Sequence, residues 1–134
     1  MATAKEVQAL SAPTIYLDGR RLKILPNSCR AELPGEVKSR AVSAGGGATS
    51  MVHGYDVEAD VCKIKFDVAN TGEMAELLQD YASRRRRIEL STIKIIEKTV
   101  NLSYDQAVMT NKIEIGFEAD GKIEVEFMGR YASI

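Results

Sequence analysis

The stretch KIEIGFEADGKIEVEF, residues 112–127, sets the reading of the whole chain. Ile113, Ile115 and Phe117 alternate with Lys112, Glu114 and Glu118. Ile123, Val125 and Phe127 alternate with Glu124 and Glu126. A period of two puts successive side chains on opposite faces, the signature of a half-buried strand. Asp120-Gly121 between the two runs is a tight-turn dipeptide. The stretch therefore predicts a terminal β-hairpin with one apolar and one acidic face.

Similar patterns extend outward. Ile88, Leu90, Ile93, Ile95 and Ile96 read as a strand, and 99–104 alternates again. Near the start, Thr14–Leu17, the turn Asp18-Gly19 and Leu22–Leu25 read as a small hairpin. Tyr55 to Val68 reads as one long strand whose apolar face flips between Val61 and Ile64. Either a bulge near Cys62-Lys63 or a move from one sheet to another accounts for that flip. Residues 70–83 are the one good helix. Asn70 with Glu73 resembles a capping box, and Met74, Leu77, Leu78 and Tyr81 form a single apolar stripe. The fold class is mainly β: an antiparallel β-sandwich or partly open barrel with one flanking α-helix.

Two segments look unfinished. Residues 27–43 alternate charges and small side chains around Pro34-Gly35, reading as two strands meeting at a turn. Their apolar content is low for a buried pair, so they need a partner. Gly45, Gly46, Gly47, Ala48, Thr49 and Ser50 follow as a flexible loop. It lacks the GK[ST] ending and the strand–loop–helix setting of a phosphate cradle. Residues 1–13 read as a loose N-terminal arm before one β domain over 14–134.

Composition narrows the function. The chain has 134 residues, 45% hydrophobic and 28% charged, with a net charge of -1. There is no global basic field for nucleic acid and no apolar run of membrane length. His53 is the only histidine. Cys29 and Cys62 form no CxxC motif and no zinc set, and read as two small buried or half-buried thiols. No hydrolase, metalloprotease or dinucleotide motif occurs, so no catalysis, cofactor or metal is expected. Arg84, Arg85, Arg86 and Arg87 follow the helix directly, where cations complement the negative end of its dipole. Four in a row exceed what capping needs. A solvated turn, a protein interface with an acidic partner and nucleic-acid contact all remain open at this stage.

The order of features resembles the tail tube proteins of contractile phages, nearest to the Mu-like type. IYLDGRRL, HGYDVEADVCKIKFDV, DVANTGEMAELLQDY and the closing GKIEVEFMG carry the likeness, over roughly residues 14–130. The arginine run and the arm lie outside it. The resemblance implies a virion protein, assembled in the host cytoplasm, whose strands join an inter-subunit β-barrel in a hexameric ring. Rings stack into a tube inside a contractile sheath, with baseplate and tail-terminator proteins as further partners. DNA passes through the lumen without specific binding. In that setting the segment 27–54 is the inter-subunit hairpin and loop, with Pro34, Gly35, Gly45, Gly46, Gly47, Thr49 and Ser50 at the contacts. Glu32, Glu36 and Glu58 become lumen-facing acids that repel phosphate. Arg84–Arg87 become a contact for the sheath. Two alternatives stand beside this: a tube subunit of a secretion system or bacteriocin-like particle, and a small β-domain that binds anionic partners through Arg84–Arg87.

Overall fold

A computed structural model describes residues 9–43, 45–56 and 61–132. The fold is mainly β, as the alternating pattern predicts. Nine strands are present among the described residues: β1 (Thr14–Leu17), β2 (Arg20–Arg21), β3 (Arg30–Ala31), β4 (Glu36–Ser43), β5 (Thr49–Asp56), β6 (Val61–Ala69), β7 (Ser91–Glu97), β8 (Val100–Met109) and β9 (Lys122–Tyr131). One helix, α1 (Gly72–Arg84), follows β6. Seven strands form an antiparallel sheet in the order β2-β1-β7-β8-β9-β6-β3. β4 and β5 form a separate two-stranded sheet.

One face of the large sheet carries the core. Ile15, Leu17, Ile64, Phe66, Val68, Ile93, Ile123, Val125 and Phe127 are essentially inaccessible. The stripe Met74, Leu77, Leu78 and Tyr81 of α1 packs into the same cluster. Phe66 stacks on Phe127, and Tyr81 meets Phe127 edge-on. The sheet curls as it twists, so its ends approach each other. Lys23 and Leu25 exchange backbone hydrogen bonds with Ala69 and Asp67 of β6, while Leu22 still donates to Ile15 of β1. Tyr104 reaches across the interior from β8 to donate to the Glu32 carbonyl at 2.6 Å.

Several local expectations are corrected. The helix begins one residue later than the capping box implied: Thr71 is the N-cap, and its hydroxyl accepts from the Met74 N–H. Asn70 is used elsewhere, donating to the carbonyls of Gly116 and Glu118. The pair of strands expected within 27–43 does not pair with itself. β3 joins the edge of β6, and β4 turns back on β5, so the hairpin spans Glu36–Asp56 with Gly45–Gly47 at its tip. Thr49 and Ser50 lie in β5 rather than in the loop.

Tyr55 to Val68 is not one strand, since β5 and β6 belong to different sheets; Val61 already lies in β6 and is exposed, opposite in parity to buried Ile64, while Val57 and Ala59 lie outside the described residues. β6 and β9 stay in unbroken register from Val61↔Arg130 to Ala69↔Lys122, which leaves no bulge at Cys62-Lys63. The bulge is in β8. Its register slips against both β7 and β9 around Gln106, which has a positive φ of 51°. One extra residue there shifts the buried set from Tyr104 to Ala107 and Met109.

The largest correction concerns 112–127. Its second arm is β9, but its first arm is not a strand. β9 pairs with β8 instead, Met109 opposite Phe127, and 110–121 is a loop. The Asn111 side chain takes over the ladder there. Its amide donates to the Glu124 carbonyl and its oxygen accepts from the Glu126 N–H, both at 2.9 Å. Ile113 and Ile115 still pack on the core, as their spacing predicts.

Candidate assembly surface

The hairpin β4–β5 follows from a short sequence logic. Gly46 and Gly47 take left-handed φ values of 79° and 82°, which the tip of the hairpin requires. At its base Gly35 has φ +93°, and a Cβ there would lie 2.7 Å from the Tyr55 ring. The left-handed φ favours glycine there, where the chain leaves β3 beside that aromatic. Between these points the register pairs Val37 with Tyr55, Ser39 with His53 and Ala41 with Met51 on one face. Lys38, Arg40, Val42 and Val52 belong to the other.

Every described side chain from Val37 to Tyr55 is exposed. Val37, Met51 and Tyr55 are more than half accessible, and Val42 and Val52 are not far behind. Neither strand packs substantially on another element. Across the strands the Ser39 hydroxyl meets His53 Nδ1 at 2.6 Å. An isolated hairpin in water is marginal, and a run of exposed apolar side chains marks a contact surface.

The inter-subunit residues expected from sequence divide accordingly. Gly45, Gly46, Gly47, Thr49 and Ser50 share the distal half of the hairpin. Pro34 and Gly35 sit at its root and are half-buried.

Of the acids expected in the lumen, the structure describes the side chain of Glu32 alone. Glu32 extends the β3–β6 pairing: its carboxylate accepts from the Lys63 N–H at 2.6 Å, a local edge contact. Glu36 is the first residue of β4, opposite Asp56. Glu58 lies outside the described residues.

The arginine run is split between uses. Arg84 ends the helix, bridges Asp80 at 3.1 Å and stacks over the Tyr81 ring at 4.6 Å. It also approaches Asp18. Arg85 donates to the Asn111 carbonyl and so ties the helix end to the start of the 110–121 loop. Arg87 pairs with Glu89 at 3.1 Å and stays exposed, as does Arg86. Arg84, Arg85 and Arg87 all have contacts within the subunit, and Arg86 and Arg87 are the two that stay exposed.

The arm is partly fixed. Ser11 and Ala12 N–H groups both donate to the Glu97 carboxylate at 3.1 Å, and Asn27 N–H donates to the Ser11 carbonyl. The described part of the segment 1–13 is therefore docked, not loose. These backbone donors hold the Glu97 carboxyl below its ordinary pKa.

Cys29 and Cys62 are both free thiols, half-buried and buried. Burial pushes the Cys29 thiol up to about 11. Ser28 bonds Asp67 and Arg30 pairs with Lys65, so Cys29 lies beside Phe66. That is four residues along β6 from Cys62, about 13 Å at strand rise, beyond the reach of a disulfide.

An open shelf of about 570 Å³ on the outer face of β1, β7 and β8 is lined by Tyr16, Lys94, Ile96, Ser103 and Asp105. Among the described residues no group of three His, Cys, Asp or Glu is placed to hold a metal ion. No helix among them is long and apolar enough to cross a membrane. No protein-family model and no curated protein matches the chain.

Proposed function

We propose that this chain is a non-enzymatic structural subunit that self-assembles into rings stacked as a tube, as the contractile-phage tail tube does. The observation that carries the reading is the hairpin β4–β5. Two eight-residue strands pair with each other, their described side chains are exposed, Val37, Ala41, Met51 and Tyr55 flank Ser39 and His53 on one face, and no described residue of either joins the core cluster. Neighbouring copies supply what it lacks: cover for Val37, Ala41 and Met51, and pairing partners for its open edges. Closing strands into a ring removes those edges altogether.

In a phage the tube conducts DNA and lies inside a sheath. In a secretion apparatus or bacteriocin-like particle the same subunit architecture serves a different cargo. The net charge of -1 suits a conduit, because a conduit that bound phosphate would retain its DNA. The arrangement disfavours the reading of a domain that binds anions through Arg84–Arg87, since Arg84 and Arg85 are committed within the subunit.

Negative-stain microscopy of the purified chain at high concentration tests the proposal. Rings or tubes with a central hole are expected. Monodisperse monomers under those conditions sink it.

A further inference from the structure

The β4–β5 hairpin divides its charges unevenly between its faces. Directly opposed residues of an antiparallel pair share a face, and alternate pairs lie on the same side. Every second pair from Val37↔Tyr55 to Ser43↔Thr49 therefore belongs to one face, which holds no Asp, Glu, Lys or Arg. Lys38 and Arg40, on either side of Ser39 in β4, belong to the opposite face. The Glu36↔Asp56 pair at the root shares their parity. His53 is the exception on the uncharged side. It is the only histidine of the chain, and histidine is the residue whose ordinary titration falls between pH 5 and 8.

Its position on that face is central. Met51 and Tyr55 lie two residues to either side along β5, about 7 Å each way at strand rise. Both are more than half exposed. The Ser39 hydroxyl meets Nδ1 at 2.6 Å and holds the ring over the face between them. β4 and β5 pack chiefly on each other. A surface that covers both Met51 and Tyr55 thus covers His53 as well. Neutral imidazole enters such a contact with its Ser39 bond intact. Imidazolium gives up its water there and meets no carboxylate on its own face, and an unpaired charge is costly to bury.

We infer that His53 places assembly through this face under the control of pH: copies associate while the imidazole is neutral and part when it gains a proton. The inference rests on the tube reading of the hairpin and adds its regulation. A contact that admits only the neutral ring releases a proton as it forms, so the linkage has one sign and acid weakens the contact. The apparent dissociation constant rises by the inverse of the neutral fraction. Above the histidine range the face is uncharged and its apolar residues drive association. Below that range each copy brings one buried positive charge to the joint. The hairpin then stays formed, because neither the strand register nor the Ser39 bond requires a neutral ring.

Sedimentation velocity on the full chain at pH 7.5 and pH 5 tests this, with negative stain of the same samples and circular dichroism to confirm an unchanged fold. The wild-type apparent dissociation constant is expected to rise about tenfold or more at pH 5. H53Q keeps a polar side chain that gains no proton, so its ratio between the two pH values is expected to stay near one. H53K carries its charge throughout and is expected to associate at pH 7.5 as weakly as the wild type does at pH 5. Three results would each overturn the inference: wild-type association as tight or tighter at pH 5, an H53Q ratio as large as the wild-type ratio, or H53K as tight as wild type at pH 7.5. Rings or tubes at pH 7.5 would in those cases leave the tube reading standing. Wild-type protein that forms no rings or tubes at either pH sinks that reading, and this inference with it.

Discussion

Asp18 concentrates more of the fold than its place in a turn suggests. It sits in the left-handed region, at φ 51°, which Asp tolerates better than most residues. Its carboxylate accepts from the Thr92 N–H at 2.9 Å and from the Tyr81 hydroxyl, and Arg84 lies near. One side chain therefore joins the β1–β2 turn, the start of β7 and the end of α1. Burial opposes its ionisation, but the hydrogen bonds from Tyr81, Thr92 and Ser91 and the Arg84 charge outweigh it, and its pKa falls below the ordinary value. A lowered carboxylate pKa stabilises the fold above the unfolded value of about 3.9 and loses that contribution as pH falls through the folded value. D18N is therefore expected to be less stable than wild type at pH 7, with the gap closing below about pH 4. Urea titrations at the two pH values measure it; a gap that is constant with pH would show that the carboxylate charge is not what matters. The sequence shows Asp18-Gly19 only as a turn, because a partner 63 residues away leaves no local trace.

Elements were legible where one face alone decides them. The stripe of α1 and the alternation of β6, β7 and β9 each bury a single face, and periodicity reports that directly. The 112–118 segment alternates just as clearly and forms no strand, because alternation records which side chains face the core and not whether the backbone finds a ladder. Ile113 and Ile115 do reach the core, yet the ladder edge is already occupied by Asn111 and β8. Asn111 is the residue that sequence reading missed. A polar side chain just past the apolar β8 run was its only signal. N111A is expected to lose about 1–2 kcal/mol, since it leaves the Glu124 carbonyl and the Glu126 N–H without a partner. Hydrogen exchange should quicken at Glu126 and across 112–118 while the β6–β9 register stays protected. Equal quickening in β6 would mean the loss is global rather than confined to this edge. The exposed hairpin was legible in outline for a related reason. Low apolar content in 27–43 pointed to a missing partner, but pairing choice depends on the Gly35 turn and on β6, which no window of sequence displays.

For the whole molecule the division of labour is sharp. The core cluster draws on β1, β6, β7, β8, β9 and α1 and takes nothing from β4 or β5. On the proposed function, folding and assembly rest on different residues, and they should separate under mutation. Replacing 37–55 by a short Gly-Ser turn removes exposed surface and no core side chain. The shortened loop also costs less entropy to close, a gain of only about 0.6 kcal/mol per halving of length. The excised chain is therefore expected to unfold cooperatively within a few degrees of the wild-type midpoint, since about 1 kcal/mol moves a domain of this size by a few degrees. Rings and tubes should be absent from its micrographs at any concentration that yields them for the wild type. Thermal unfolding and negative stain on the same preparation read both quantities. A large fall in the midpoint would place the hairpin in the folding unit. Intact tubes would move the burden of assembly to other surfaces.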